Sequence, residues 1–427
     1  MPDDEQETRV RAADSRGSVR EDGGGDQSGA EKGLGCGPEG QDRETEAETH
    51  REAQAEEDVA FSCRALLNGR TRYEHEDEAD PMVWAKLQYN HDEVDRAGAT
   101  LLSPPVGEDA DRADFIHALD ILSNWRSCHA FPLNTLQVNL RNHSKEVDQG
   151  ALVAQRIKRL TSIAQKLRRF DWIKLSQMQD IGGCRAIVRS VRAADRLAKR
   201  FRNSQMRHHL IDEDDYIRNP KKSGYRSLHL IYAYESDRNT TYNGLKIEVQ
   251  IRSSLQHAWA TAVETVGTFT QQVLKSSRGS REWLRFFALM STAIALREKT
   301  KPVPKTPTDK DALICELRQH ATELDVEHRL KTYGHALNAF PSDTQDADYF
   351  LLKLEPAAQK VTISGFTRKD LPRASGAYLD VERAIANEPG AEAVLVSVDS
   401  VEALRRAYPN YFLDTRLFLD ALREALS

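Results

Sequence analysis

Cysteine is scarce in this chain: only five occur among 427 residues, and they lie far apart. No two of them form a Cys-x-x-Cys pair, so the sequence indicates neither a disulfide framework nor a zinc knuckle. Long apolar runs are also missing, because no stretch reaches the roughly 18 apolar residues that a membrane-spanning helix needs. The start, Met1-Pro-Asp-Asp-Glu, has neither the basic nor the apolar region of a secretion signal. These absences predict a cytoplasmic protein without a membrane partner.

Aromatic residues make up only 7% of the chain and are almost absent from its first 80 positions. Those positions are rich in Glu, Asp, Gly, Gln and Arg, a composition that cannot bury enough apolar surface to offset the entropy lost on folding. We therefore predict a disordered acidic extension over residues 1–81. The rest of the chain has a slight excess of basic side chains, crowded between Arg156 and Arg207, which favours partners that carry phosphate.

The order of helical and strand patterns after residue 82 is typical of a mixed α+β fold in the α/β class. Helices are predicted at 112–128, 134–147, 151–170, 192–204 and 254–266. Strands are predicted at 184–188, 227–234 and 245–251. A mixed sheet flanked by helices is therefore predicted over residues 82–275, followed by a helical connector over 276–344. A small C-terminal α/β domain is predicted over 345–427.

A row of cations stands in the segment predicted as the third helix. Lys158, Ser162 and Lys166 are spaced four residues apart, so on a helix they share one face. Such a face can hold a triphosphate. The simpler alternative is a basic face that only meets solvent.

Two carboxylates stand near predicted strands. Asp180 precedes Gly182-Gly183, where glycine lets the backbone approach a ligand closely, and Glu248 lies on a later strand. Two carboxylates on neighbouring strands can hold Mg²⁺, whose remaining sites go to water and phosphate oxygens. Alternatively, Asp180 caps a turn. Arg185 is either an ordinary edge-strand arginine or a planar cation that stacks on a purine.

An aromatic residue stands beside a glycine in the loop ahead of the 227–234 strand, which reads Lys221-Lys-Ser-Gly-Tyr225-Arg226. A tyrosine flanked by cations can stack a base while phosphates are neutralised, whereas a plain turn explains the glycine alone. His229 and His257 are interpreted as structural, because neither a third His nor a nearby Cys completes a metal site.

The identity and order of these motifs resemble the RelA/SpoT synthetase domain, the alarmone pyrophosphokinase family, over roughly residues 115–270. The resemblance implies a nucleotidyltransferase-like fold that uses ATP and Mg²⁺. It implies that Arg156 and Arg185 sandwich adenine and that Tyr225 stacks the acceptor base. The other roles that it implies are metal binding by Asp180 and Glu248, catalysis by Asp180, Glu248 and Gln250, ATP contacts by Arg156, Lys158, Ser162, Lys166 and Arg185, and acceptor contacts by Lys221, Tyr225, Arg226 and His229.

The reaction that this resemblance implies is transfer of the terminal pyrophosphoryl group of ATP. A ribose 3′-hydroxyl attacks the β-phosphorus and AMP leaves, with Glu248 as the candidate that removes the proton. Positioning and charge neutralisation supply most of such catalysis. No hydrolase half is recognisable, because His91-Asp92 is a lone dipeptide.

The tail from Ala393 to Phe412 resembles the antitoxin half of CapRel-type fused toxin-antitoxin proteins, which defend against phage. There a Tyr-x-x-Tyr pair, matched here by Tyr408 and Tyr411, occupies the adenine pocket of its own synthetase domain. The alternative is that both rings pack the small tail domain. The resemblance implies that the 3′ end of tRNA is the acceptor and that a phage structural protein such as capsid releases the block.

Three functions stay open. Transfer to tRNA would suit a basic surface formed by Arg168, Arg169, Arg196, Lys199, Arg200 and Arg202. Alarmone synthesis on GDP or GTP is the runner-up. The motif around Tyr225 occurs both in family members that make alarmone and in members that modify tRNA. A catalytically inactive binding module is the third, and the presence of both Asp180 and Glu248 argues against it.

Overall fold

The computed structural model describes residues 84–103, 109–270, 280–335, 338–341, 347–355, 358, 360–385, 388, 391–398, 401–409 and 414–427. The predicted extension over 1–81 and the second tail tyrosine, Tyr411, lie outside these residues.

The described strands form one mixed sheet. They are β1 (Leu152–Ile157), β2 (Gly182–Val188), β3 (His209–Asp215), β4 (Leu228–Ala233), β5 (Lys246–Ser253), β6 (Asn338–Pro341), β7 (Tyr349–Glu355), β8 (Lys360–Phe366) and β9 (Glu392–Ser397). Within the described residues the order is β3-β4-β5-β2-β1-β9-β7-β8-β6. The pairs β2–β5 and β6–β8 are parallel, and the other pairs are antiparallel. The predicted mixed sheet is thereby confirmed.

Helices flank this sheet. They are α1 (His91–Leu102), α2 (Asp109–Cys128), α3 (Ala130–Val147), α4 (Leu160–Arg169), α5 (Val191–Arg202), α6 (Ser254–Thr270), α7 (Arg281–Glu298), α8 (Lys310–Glu323), α9 (Val326–His335), α10 (Leu371–Ala384), α11 (Val401–Ala407) and α12 (Arg416–Leu426). None of those in the described residues is long and apolar enough to cross a membrane. The predicted α+β architecture is therefore present.

Alternation along the central strands separates a packed face from a polar face. On β5, Ile247, Val249 and Ile251 join the core beneath α3 and α5. The residues between them, Glu248 and Gln250, therefore point to the opposite face, because successive side chains of a strand alternate. The polar residues of the predicted site are concentrated on that face.

The helix predicted over 151–170 is wrong in its first half. Apolar residues at Val153, Ile157, Leu160 and Leu167 have a helical period, yet residues 152–157 form the strand β1. This strand pairs with β2 on one side and β9 on the other. Pairing with distant strands outweighs a local pattern of this kind, and local periodicity alone cannot reveal it.

The strand β3 was not predicted, because its sequence is mostly polar. His209, Leu210 and Ile211 are exposed at the edge of the sheet. Without a buried face the strand lacks the alternation by which strands are recognised.

The predicted C-terminal domain over 345–427 continues the sheet of the preceding part. Gln155 and Arg156 of β1 pair with Ser397 and Val396 of β9. The last helix, α12, packs Phe418 against the rings of two phenylalanines in α7, with ring centroids 6.0 and 6.2 Å apart. The predicted C-terminal domain therefore shares a sheet and a core with the preceding residues, and its boundary at residue 345 stays a prediction.

Candidate active site

Asp180 is held by two lysines just before β2. The Lys158 ammonium lies 2.6 Å from one carboxylate oxygen and the Lys166 ammonium 3.1 Å from the other. Burial by itself would raise the pKa of Asp180, but the two ammonium groups outweigh it and hold the pKa well below its ordinary value. The carboxylate is therefore ionised and lies between two cations.

The lysines reach Asp180 from different elements. Lys158 follows β1 in an extended link, where its N–H donates to the Ile181 carbonyl at 2.8 Å. Lys166 lies on α4, one helical turn after the half-buried Ser162. The predicted row on one helix is thus wrong in its geometry, although Lys158 and Lys166 do converge.

Glu248 is the second carboxylate of the site. One of its oxygens lies 2.8 Å from Nδ1 of His229, and the other accepts a hydrogen bond of 2.6 Å from the Gln250 amide. Burial would raise the pKa of Glu248, yet His229 lowers it to about 2. For His229, burial lowers the pKa, but Tyr225 and Glu248 outweigh this and raise it to about 9. The pair is therefore an ion pair at neutral pH.

Gly183 lies beside the Glu248 carboxylate. It pairs with Glu248 across the parallel strands β2 and β5, and with Arg156 across β1 and β2. A Cβ atom there would lie 3.8 Å from the nearer oxygen of the Glu248 carboxylate, so a larger side chain would fill the space beside it. Asp180 also interacts electrostatically with Glu248, which places both carboxylates in one site.

The two carboxylates suit an ion that a nucleotide brings with it. Among the described residues no three or more His, Cys, Asp or Glu side chains cluster as a metal cage. Mg²⁺ is commonly held by one or two carboxylates together with phosphate oxygens and water, so Asp180 and Glu248 fit this ion.

Tyr225 is buried in a network, with its side chain only 6% exposed. Its hydroxyl lies 2.9 Å from Nε2 of His229 and accepts a hydrogen bond of 3.3 Å from Arg252. Lys221 places its ammonium 4.3 Å from the centre of the Tyr216 ring. In this conformation the predicted base platform is covered by its own neighbours.

Arg226 does not face the site. Its buried guanidinium donates to the Ser291 hydroxyl and to the backbone carbonyls of Ile217 and Lys301, at 3.0, 3.1 and 2.7 Å. The predicted acceptor contact is therefore replaced by a structural role that ties three segments together. Gly224 beside it has a φ of 93°, which an L-residue rarely adopts.

Arg185 lies under the tail. Its guanidinium is 5.7 Å from the centre of the Tyr408 ring, and the Tyr408 hydroxyl donates to the Gln155 carbonyl at 3.0 Å. Burial and the neighbouring Arg252 lower the pKa of Arg185 to about 10. Tyr408 is 4% exposed and also interacts electrostatically with Arg156. Tyr408 therefore lies against Arg185, one of the two arginines predicted to hold adenine.

Two residues of this network had no predicted role. Arg252 donates to Gln250 at 2.7 Å and to the Tyr225 hydroxyl. Its place two residues after Gln250 on β5 was a usable signal, because alternate residues of a strand share a face. Tyr216 left no such signal, because it follows the unpredicted strand β3. Trp259 lies in the core and donates to the Phe287 carbonyl at 2.9 Å.

The fold and the site define a mixed-sheet domain with two buried, ion-paired carboxylates. Residues 155–270 match the family described as a region found in RelA/SpoT proteins. The resemblance predicted from the motifs is thereby confirmed, whereas the CapRel-type likeness of the tail stays a prediction.

Individual relatives cover part of the chain. GTP pyrophosphokinase YjbM of Bacillus subtilis (strain 168) is 32% identical over 111 residues, which are 26% of this chain and 52% of that protein. The chain thus spans about half the length of this curated relative. Small alarmone synthetase 1 of Bacillus subtilis, solved with its product pppGpp, is 23% identical, with a TM-score of 0.36 over 40% of this chain and 90% of that chain. Small alarmone synthetase 2 of Bacillus subtilis is 22% identical, with a TM-score of 0.34 over 40% of this chain and 89% of that chain.

Proposed function

We propose that the chain is an ATP-dependent pyrophosphokinase that transfers pyrophosphate to a ribose 3′-hydroxyl. The observation that carries this proposal is the arrangement of two buried, ion-paired carboxylates that interact with each other, Asp180 with its two lysines and Glu248 with His229. The family of residues 155–270 and the name of the curated relative support the same reaction.

On the donor side, Lys158 and Lys166 can pair either with Asp180 or with the phosphates of ATP. In the present conformation both neutralise Asp180. With ATP bound, we propose that they contact its phosphates, together with the Ser162 hydroxyl, and release Asp180 to serve as a metal ligand. Mg²⁺ held there would neutralise charge on the phosphate oxygens as AMP departs. Arg156 and Arg185 would take the adenine between their guanidinium planes.

On the acceptor side, the low pKa of Glu248, about 2, weakens it as a proton acceptor near neutral pH. We propose that Glu248 mainly holds the ion and orients the attacking hydroxyl, while Gln250 and His229 keep its carboxylate in place. Catalysis then comes from positioning and charge neutralisation, which dominate phosphoryl transfer in general.

For the acceptor we propose the 3′ end of tRNA. An open cavity of about 730 Å³ lies between α3 and α5, on the side of the sheet opposite Glu248, and Arg196, Lys199 and Arg200 line it. These cations can contact the phosphates of an RNA backbone, although Arg200 is partly neutralised by Glu146. GDP or GTP is the second candidate, and the name of the curated relative favours it. A phage capsid protein as trigger stays a prediction from the resemblance of the tail.

We further propose that the tail blocks the enzyme until it is displaced. Tyr408 lies over Arg185 and bonds to the backbone beside Arg156, so adenine cannot occupy that place at the same time. The second tail tyrosine lies outside the described residues, and its role stays a prediction.

The acceptor is tested with γ-labelled ATP and the Tyr408→Ala chain. We expect label to enter tRNA and to be lost when the tRNA has been oxidised at its 3′ ribose, because that ribose supplies the attacking hydroxyl. Label entering only GDP or GTP would favour alarmone synthesis. Label entering none of these acceptors would favour the inactive binding module and contradict the proposed reaction.

A further inference from the structure

A carboxylate from the tail caps the N-terminus of α4. Oε1 of Glu382, on α10, accepts a hydrogen bond of 3.1 Å from the Leu160 N–H and another of 2.8 Å from the Tyr378 hydroxyl. Its second oxygen lies 3.0 Å from the guanidinium of Arg126. A group 222 residues away in sequence thus supplies the anion at this helix end.

The arginines that pair with carboxylates of the tail lie in the part of the chain before the tail. Arg126, on α2, is only 3% exposed and donates through Nε to the Lys158 carbonyl at 3.0 Å. Arg159, immediately before α4, pairs with Glu392 of β9 at 2.7 Å. Two tail carboxylates therefore face two arginines and one helix N-terminus.

This arrangement is the one that proteins use for phosphate. Helix N-termini present unpaired N–H groups and a positive dipole end to an anion, and guanidinium groups bind its oxygens in a fixed geometry. The backbone of Lys158 connects the place to the main site, because the same residue pairs with Asp180 through its ammonium. The anion-binding position at the N-terminus of α4 therefore adjoins the lysines that are proposed to contact ATP.

We propose that Arg126, Arg159 and the first turn of α4 form a phosphate subsite for the polyphosphate of the donor, and that Glu382 and Glu392 of the tail fill it as phosphate mimics. This inference rests on the proposed function, because it names the group that the tail displaces. The tail then blocks two parts of the nucleotide at once: Tyr408 takes the place of the base, and the two glutamates take the place of a phosphate.

A purely structural clamp makes a different prediction. If Arg126 and Arg159 only fasten the tail, their removal should loosen the tail and leave polyphosphate binding unchanged or stronger. If they form a phosphate subsite, their removal should weaken polyphosphate binding once the glutamates are gone. The two interpretations therefore predict different changes in polyphosphate affinity when the arginines are removed.

The test is binding of inorganic tripolyphosphate to the full-length chain, measured by calorimetry without divalent ions. This probe has no base and needs no acceptor. We expect Glu382→Gln with Glu392→Gln to tighten binding about tenfold or more, because two competing charges are removed. Glu388→Gln, at an exposed glutamate of the tail, serves as the control and should change nothing.

Adding Arg126→Gln to the double variant should weaken binding about tenfold again, for loss of one charge-assisted contact. Arg159→Gln, at a partly exposed position, makes the same test if the Arg126 variant does not fold. Unchanged binding in the double variant, or after removal of the arginines from it, would overturn the subsite. Tripolyphosphate binding that behaves as expected in a chain that transfers nothing would instead refute the proposed reaction alone.

Discussion

Replacing Tyr408 by alanine in the full-length chain is expected to raise pyrophosphoryl transfer on the order of 10²-fold. Removal of a buried aromatic ring costs about 3–5 kcal/mol, and each 1.4 kcal/mol of that shifts the docking equilibrium of the tail tenfold. The ring that is lost lies over Arg185, so the place of adenine is vacated. The rate of label transfer from ATP, compared with the unchanged chain, measures the effect.

Tyr408→Phe is the matched control for the ring. It keeps the contact with Arg185 and loses only the hydrogen bond to the Gln155 carbonyl, which is worth about 1 kcal/mol. We therefore expect a change of about fivefold or less.

In cells, Tyr408→Ala combined with Tyr411→Ala should arrest growth. Harmless expression at normal protein levels would count against inhibition by the tail.

The second large effect is expected at Asp180. In the Tyr408→Ala chain, Asp180→Asn should reduce transfer by at least about 10³-fold, because a metal ligand and the partner of two lysines are lost together. The same substitution should restore growth to cells that express the released chain. Initial rates at saturating ATP measure the loss.

Asp171→Asn is the control for this change, because Asp171 is exposed and lies nine positions earlier. It should leave transfer unaltered. Circular dichroism must show that the Asp180 variant is folded, because its two lysines are left facing an amide. Full transfer by a folded Asp180→Asn chain would show that the metal assignment is wrong.

The strands that carry the site could be predicted because their information is local. Residues 245–251 alternate between apolar and polar side chains, so the face of Glu248 and Gln250 follows from the sequence. The glycine pair that begins β2 supported the prediction that a ligand approaches there. Charge type and spacing predicted roles for Asp180 and Lys166, but not the ion pair that they form with each other.

Contacts between distant segments could not be predicted in this way. The strand β1 has an apolar period that reads as helix, and only its pairing with β2 and β9 reveals it. Glu382 resembles any surface glutamate in sequence, yet it reaches Leu160 across 222 residues. Arg226 stood in a motif with its neighbours, but burial directs it to backbone carbonyls. Such contacts depend on tertiary packing, which a local sequence pattern does not reveal.

In the proposed mechanism, Asp180 and Glu248 hold one divalent ion opposite Arg156 and Arg185. Crystals of the Tyr408→Ala chain with Mn²⁺ and a non-hydrolysable ATP analogue test it directly through anomalous scattering. We expect one manganese peak in contact with both carboxylates and with phosphate oxygens, and adenine between the two arginines. A peak that contacts neither carboxylate, or adenine bound elsewhere, would contradict the account.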